Sequence, residues 1–299
     1  MNFKLRNNFH GENKKFSFFE GWYLKHQSAL NTIAFIPAFH IDKAGRSSSS
    51  IQVIMNNKSF SIDFPEYSFV ADKKRFYVKV GDNLFCEKGI RIFLKTDDIT
   101  IKGKIYYSPF TMLQSDIMGP FRFFPIMQCN HGVLSLKHKL SGSLMINGEN
   151  VDFTGGIGYI EKDWGSSFPK SYLWTQCNQF DKIQCSIMLS IAHIPFMGID
   201  FTGCICTIYY EGKEYRLATY LGVRILKYSS HEVIISQNKY LLRVCFLNEK
   251  PHKLNAPNLG EMTRTVHESL VSKVQYKFYV NSKILFNLTS NYASFEENH

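Results

Sequence analysis

Apolar and polar residues alternate with a period of two in short runs along the whole chain, and no sustained helical periodicity competes with them. In the clearest run Leu134, Leu136, His138 and Leu140 fall on one side and Val133, Ser135, Lys137 and Lys139 on the other, the pattern of a half-buried strand. Asn147-Gly148 then supplies the left-handed pair of a two-residue type I′ hairpin, and Glu211-Gly212 and Asn281-Ser282 stand at similar breaks. Many strands separated by turns predict an all-β chain, built as antiparallel barrels or a closely related sandwich. Between Ser108 and Asn130 the rhythm lapses into Pro, Gly and Phe, which reads as a long aromatic crossing. Pro251 to Gly260 reads as a second excursion. A length of 299 residues suits two domains, and the lapse places their boundary so that 1–140 and 141–299 are each β domains.

Composition narrows the function classes. Aromatic residues reach 15% (Phe 26, Tyr 16, Trp 3), which favours pleated sheet and supplies walls for flat or unsaturated ligands. The net charge of +10 suits an anionic partner, yet no basic run, zinc finger or RNA-binding signature accompanies it, so nucleic acid is not expected. Transient contact with a membrane surface fits the charge. The seven cysteines are odd in number and scattered, as in a reducing compartment, and the chain carries no apolar stretch of membrane-spanning length. These features predict a cytoplasmic protein, at most peripheral to a membrane. Oligomeric state is not legible.

All three tryptophans fall in two short stretches that also carry carboxylates and glycine. On a strand, Glu20 and Trp22 share one face of Phe19-Glu20-Gly21-Trp22-Tyr23, while Tyr159, Glu161 and Asp163 share one face of Gly158–Gly165. Lys162 projects to the opposite side. Trp174 and Gln176 share a face of the following strand. A face of carboxylate, phenol, indole and amide is too polar for a dry core and too aromatic for a plain surface, which points to a ligand-lined lumen. Neither His40 nor His193 has companions at ligand spacing, so no metal site is expected. No serine-hydrolase elbow or dinucleotide fingerprint occurs.

Phe19–Tyr23 and Gly158-Tyr159-Ile160-Glu161-Lys162-Asp163-Trp164-Gly165, with Pro125–Val133, Phe168-Pro169, Trp174-Thr175-Gln176 and Ala256-Pro257 in order, resemble the tocopherol cyclase family. The resemblance spans most of the chain and implies a lipocalin-like fold related to carotenoid hydratases. It further implies a cofactor-free isomerisation, in which an alkene of a prenylated hydroquinone is protonated and the phenolic oxygen captures the cation to form a chromanol. Protonating an alkene needs a carboxylic acid, and Glu161 and Asp163 are the expected donors, with Glu20 as a third catalytic acid. Trp22, Tyr23, Trp164 and Trp174 would shelter the cation, Tyr159 and Gln176 would contact substrate, and His131 would orient the phenol or act as its base. The competing functions are a carrier that binds an apolar lipid without changing it, and a hydratase. All five residues Glu20, Trp22, Asp163, Trp164 and Trp174 are expected around a single cavity.

Overall fold

The computed structural model describes residues 8–55, 58–124, 127–196, 199–248 and 252–298, without the side chains of 195–196, 199–200, 252–255 and 262–267. Pro125, Ile126 and Pro251, marked above as motif or turn positions, lie outside the described residues. The strands are β1 Phe18–Gln27, β2 Thr32–Ile41, β3 Ser47–Met55, β4 Lys58–Pro65, β5 Phe69–Ala71, β6 Tyr77–Val80, β7 Asn83–Cys86 and β8 Gly89–Lys95. They continue as β9 Thr100–Tyr107, β10 Cys129–Ile146, β11 Glu149–Asp152, β12 Ile157–Gly165, β13 Tyr172–Cys177, β14 Cys185–Phe196 and β15 Ile199–Tyr210. The last seven are β16 Lys213–Ala218, β17 Arg224–Tyr228, β18 Glu232–Gln237, β19 Tyr240–Asn248, β20 His252–Asn258, β21 Glu261–Val280 and β22 Lys283–Asn298. No helix among the described residues is long and apolar enough to cross a membrane.

The strands form two antiparallel sheets, the first within one compact unit and the second within the other apart from parts of β20 and β21. The first runs β4-β3-β2-β1-β12-β10-β9-β8-β7-β6-β5, with β11 on β10. Its core draws Trp22, Leu24, Phe35 and Val53 from one half and Phe85, Ile92, Ile105 and Leu144 from the other. A flat sheet could not bring both halves to one core, so this one is rolled. The roll is made locally by glycine: Gly103 (φ +147) and Gly142 (φ +119) lie where a Cβ would come within 2.4 Å of the Ser143 and Lys104 carbonyl oxygens of the adjacent strand.

The second sheet repeats the plan as β16-β15-β14-β13-β22-β21-β19-β18-β17, with β20 on β21, around Leu173, Ile187, Cys206, Val244 and Tyr276. The Gln237 side chain helps close it, accepting from the Ala218 N–H (2.9 Å) and donating to the Arg216 carbonyl (3.1 Å). The fold is all-β and lipocalin-like, as the alternation and the resemblance lead one to expect. Asn147-Gly148, Glu211-Gly212 and Asn281-Ser282 all have positive φ, so the three hairpins stand where the turn residues place them.

The boundary expected at 140/141 falls inside β10, which runs unbroken through it. β10 and β12 are the closing strands of the first sheet, and β12 returns to pair with β1. The first unit accordingly comprises the chain up to Asp116, Cys129–Phe168 and Asn255–Arg264, and the second comprises Ile117–Gln128, Pro169–Leu254 and the chain from Thr265. The aromatic crossing is therefore no simple linker. Its segment 117–128 is tied to the second unit, where Tyr220 Oη donates to the Ile117 carbonyl (3.0 Å) and its ring packs against Gly119 and Phe121. The second expected excursion is strand for most of its length, as β20.

Candidate active site

Pairing of β12 with β1 on one side and β10 on the other decides which residues meet. Residues directly opposed in antiparallel strands share a face. Tyr23 opposes Glu161, Gly21 opposes Asp163 and Lys25 opposes Tyr159, while on the other flank His131 opposes Asp163 and Val133 opposes Glu161. Tyr23, Tyr159, Glu161, Asp163 and His131 thus lie on one face. Glu20 opposes Trp164 and Trp22 opposes Lys162, so these four lie on the other face, the one that carries Leu24 and Ile160 into the core of the first unit.

The expectation of a single cavity bordered by Glu20, Trp22, Asp163 and Trp164 is therefore corrected, because the sheet itself separates Asp163 from the other three. Trp174 and Gln176 belong to β13 in the second unit, on the face away from Leu173 and Cys177 of that unit's core. Lys162 does project away from Glu161 and Asp163, as strand geometry requires. The unforeseen feature is what it meets there.

Lys162 is fully buried, and its Nζ donates to Glu20 Oε1 (2.5 Å) and to the Asn8 carbonyl (2.7 Å). The ammonium lies 5.3 Å from the Trp22 ring centroid and 4.8 Å from that of Trp164. His10 stacks on Trp164 at 4.4 Å, and its backbone N–H donates to Glu20 Oε2 (2.7 Å). Burial pushes the Glu20 carboxyl up, but the Lys162 charge and the contact with His10 outweigh it and hold the group below its ordinary value. Glu20 is thus an ionised partner in a buried ion pair, and its assignment as a proton donor is withdrawn. Lys162 lies within the Gly158–Gly165 motif but was given no role there, and His10 belongs to no motif; only their placement against Glu20 reveals what they do.

On the opposite face the His131 ring stands between two acids. Its Nδ1 is 2.8 Å from Asp163 Oδ1 and its Nε2 is 3.4 Å from Glu161 Oε2. Burial works against charge on the ring, yet Asp163 first, then Glu161 and last Asp116, raise its pKa to about 9. At neutral pH both ring nitrogens carry protons, and Nδ1–H donates to Asp163. Tyr159 Oη donates to Glu161 Oε2 at 2.5 Å, and burial followed by the Glu161 charge keeps that phenol protonated well above its ordinary range. Glu161 and Tyr159 are buried, whereas the Asp163 side chain keeps 24% of its exposure. Burial also keeps the Cys129 thiol, 4.0 Å from Asp163 Oδ1, protonated. Asp116 was not singled out by sequence, since nothing local marks it.

His131, Glu161 and Asp163 also offer three donor atoms within 4.8 Å of one another, a set a divalent cation could use. The ring, however, turns one nitrogen to each carboxylate and so stands where an ion shared by the two acids would have to sit. The geometry fits an imidazolium bridge better than a metal centre. Such a bridge can hold a proton against a carboxyl, pass it along a short hydrogen bond, and take one back.

A model of the tocopherol cyclase-like family matches residues 97–297. Over 116 residues the chain is 28% identical to a chloroplastic protein of Oryza sativa subsp. japonica described as a probable tocopherol cyclase, a stretch covering 38% of this chain and 25% of that one. Over 113 residues it is 26% identical to the chloroplastic tocopherol cyclase of Zea mays, covering 36% and 24%. The matched stretches thus span about a quarter of the length of these relatives. In fold, the chain is similar to a protein of Nitrosomonas europaea described as an AttH (TM-score 0.58, 13% identity, 100% of this chain and 96% of the other). It is also similar to kievitone hydratase from Nectria haematococca (TM-score 0.55, 13% identity, 98% and 93%). At that identity the two structures show a shared fold alone. The family match takes in Gly158–Gly165 with its acid pair, together with His131, and extends over more than half of the sequence; on that ground the chain belongs to the tocopherol cyclase-like family.

Proposed function

We propose that the face carrying Tyr23, His131, Tyr159, Glu161 and Asp163 is the active site of a proton-transferring enzyme that closes a prenylated hydroquinone, or a similar lipophilic polyene phenol, to a chromanol. The observation that carries the reading is the His131 imidazolium held between Glu161 and Asp163. The substrate alkene approaches Asp163, the more open of the two acids. The Nδ1 proton of His131 passes to Asp163 Oδ1 along their hydrogen bond, and the carboxyl delivers it to the less substituted alkene carbon. A tertiary cation forms beside the remaining negative charge of Glu161 and the faces of Tyr23 and Tyr159. The phenolic oxygen forms the new C–O bond, and its proton returns through Asp163 to His131. No net proton is consumed, and the site ends as it began.

The test is incubation of the purified protein with prenylated hydroquinones differing in tail length, with products resolved by mass. An isomer of unchanged mass carrying a chromanol ring supports the proposal. A product heavier by one water would make the protein a hydratase, with water in place of the phenol as nucleophile. Tight binding of every hydroquinone without any product would make it a carrier.

A further inference from the structure

The outer face of the rolled sheet in the first unit holds a feature that the proposed reaction does not use. Along β8 and β9, Arg91, Phe93, Lys102 and Lys104 all point away from the core and are exposed, while their neighbours Ile90, Ile92, Ile101 and Ile105 are buried inside. With Ser143, Met145 and Asn150 they line an open groove of about 720 Å³. The register opposes Arg91 to Lys104 directly, and Phe93 to Lys102. Like charges facing each other across a strand pair repel, and a sheet selected only for stability would separate them or place an acid between them. Among the described residues no ion pair neutralises Arg91, Lys102 or Lys104, although Asp82 also lines the groove. The apolar part is equally unusual. Phe93 is 59% exposed and Tyr106, two residues beyond Lys104 on the same face, is 58% exposed.

We propose that this groove docks the protein on an anionic lipid bilayer, with Arg91, Lys102 and Lys104 around phosphodiester headgroups and Phe93 and Tyr106 at the level where headgroup meets acyl chain. Charge complementarity selects an anionic surface. The exposed rings beside the cations favour a membrane over a nucleic-acid backbone, because aromatic side chains settle at the bilayer interface and the groove offers no ladder of rings on which successive bases could stack. The inference is independent of the reaction proposed above.

The test is co-sedimentation of the full chain with vesicles of phosphatidylcholine alone and of phosphatidylcholine mixed with phosphatidylglycerol. The wild-type protein is expected to sediment with the mixed vesicles and to be released by salt. At roughly a fivefold gain in partitioning per cation near such a surface, R91Q/K102Q/K104Q should lower binding by about a hundredfold. Lys102→Glu with Lys104→Glu should abolish it, whereas the matched pair Lys213→Glu with Lys239→Glu, exposed at the start of β16 and in the turn before β19 in the second unit, should change it little. Phe93→Ser should weaken binding without altering its salt dependence. Equal loss in the two charge-reversed pairs would reduce the effect to net charge and overturn the proposal, as would binding to both vesicle types alike. Stronger binding to an oligonucleotide, lost in the triple variant, would reassign the groove to nucleic acid. Circular dichroism checks each variant for folding.

Discussion

At the scale of single residues, the candidate site turns on one ring and two acids. Asp163→Asn is expected to abolish product formation while leaving ligand affinity within about tenfold, because it removes the carboxylate that relays the His131 proton to the alkene but keeps size and most hydrogen bonding. Turnover and binding titration on the same preparation check it. Glu161→Gln should cost less, since Glu161 receives the Tyr159 hydroxyl and lends charge without passing the proton itself. A larger loss in Glu161→Gln would move the donor role to that residue. His131 adds a dependence on pH. Its pKa is raised from 6.5 to about 9 in the folded chain, so its contribution to stability is fully present below about 6.5 and is lost as pH rises through about 9. The amount is on the order of 3 kcal/mol. We therefore expect urea stability and turnover to fall together toward pH 9, and the fall in stability to vanish in His131→Gln.

At the scale of elements, strand alternation made much of the site legible before any pairing was known. It placed Tyr159, Glu161 and Asp163 on one face of β12 and Lys162 on the other, and the positions of the hairpins followed from Asn147-Gly148 and its counterparts. What alternation cannot supply is the parity of pairing between strands far apart in sequence. A shift of one residue in the β1–β12 register would have put Glu20 beside Asp163, whereas the register found puts it beside Trp164. The same limit hid the ion pair, since Glu20 and Lys162 are separated by 142 residues. Lys162→Met is expected to cost about 3–5 kcal/mol, because it strands a buried carboxylate, and adding Glu20→Gln should recover much of that loss. Chemical unfolding of the two single variants and the double variant measures it. A cost below about 1 kcal/mol for Lys162→Met would show the pair to be hydrated rather than buried.

At the scale of the whole molecule, the two-unit organisation was legible but its boundary was not. A cluster of Pro and Phe marks irregular chain, yet whether such a segment joins two units or packs on one depends on distant partners such as Tyr220. The first unit should also be sensitive to acid. His26, His40 and His138 all lie buried in the first unit, and desolvation lowers them to about 3, 4 and 3. The unfolded chain takes up these protons below about pH 6.5 while the folded chain refuses them until pH 3 to 4, so stability is lost across that window. By pH 5 the loss is roughly 2 kcal/mol per ring, together comparable with the whole stability of an ordinary domain. In a Trp174→Phe variant, whose remaining tryptophans report the first unit alone, fluorescence should show acid unfolding near pH 5, and His40→Asn should move it lower. The pairing of β1 with β12 has a kinetic consequence as well. Some 130 residues must be threaded through hairpins before Phe18–Gln27 finds its second neighbour, so the strand that carries Glu20 and Tyr23 waits with an open edge while local pairs such as β7 with β8 form. Pulse-labelled hydrogen exchange during refolding should show amides of β7 and β8 protected first and those between β1 and β12 last, leaving the candidate site among the final parts of the unit to be assembled.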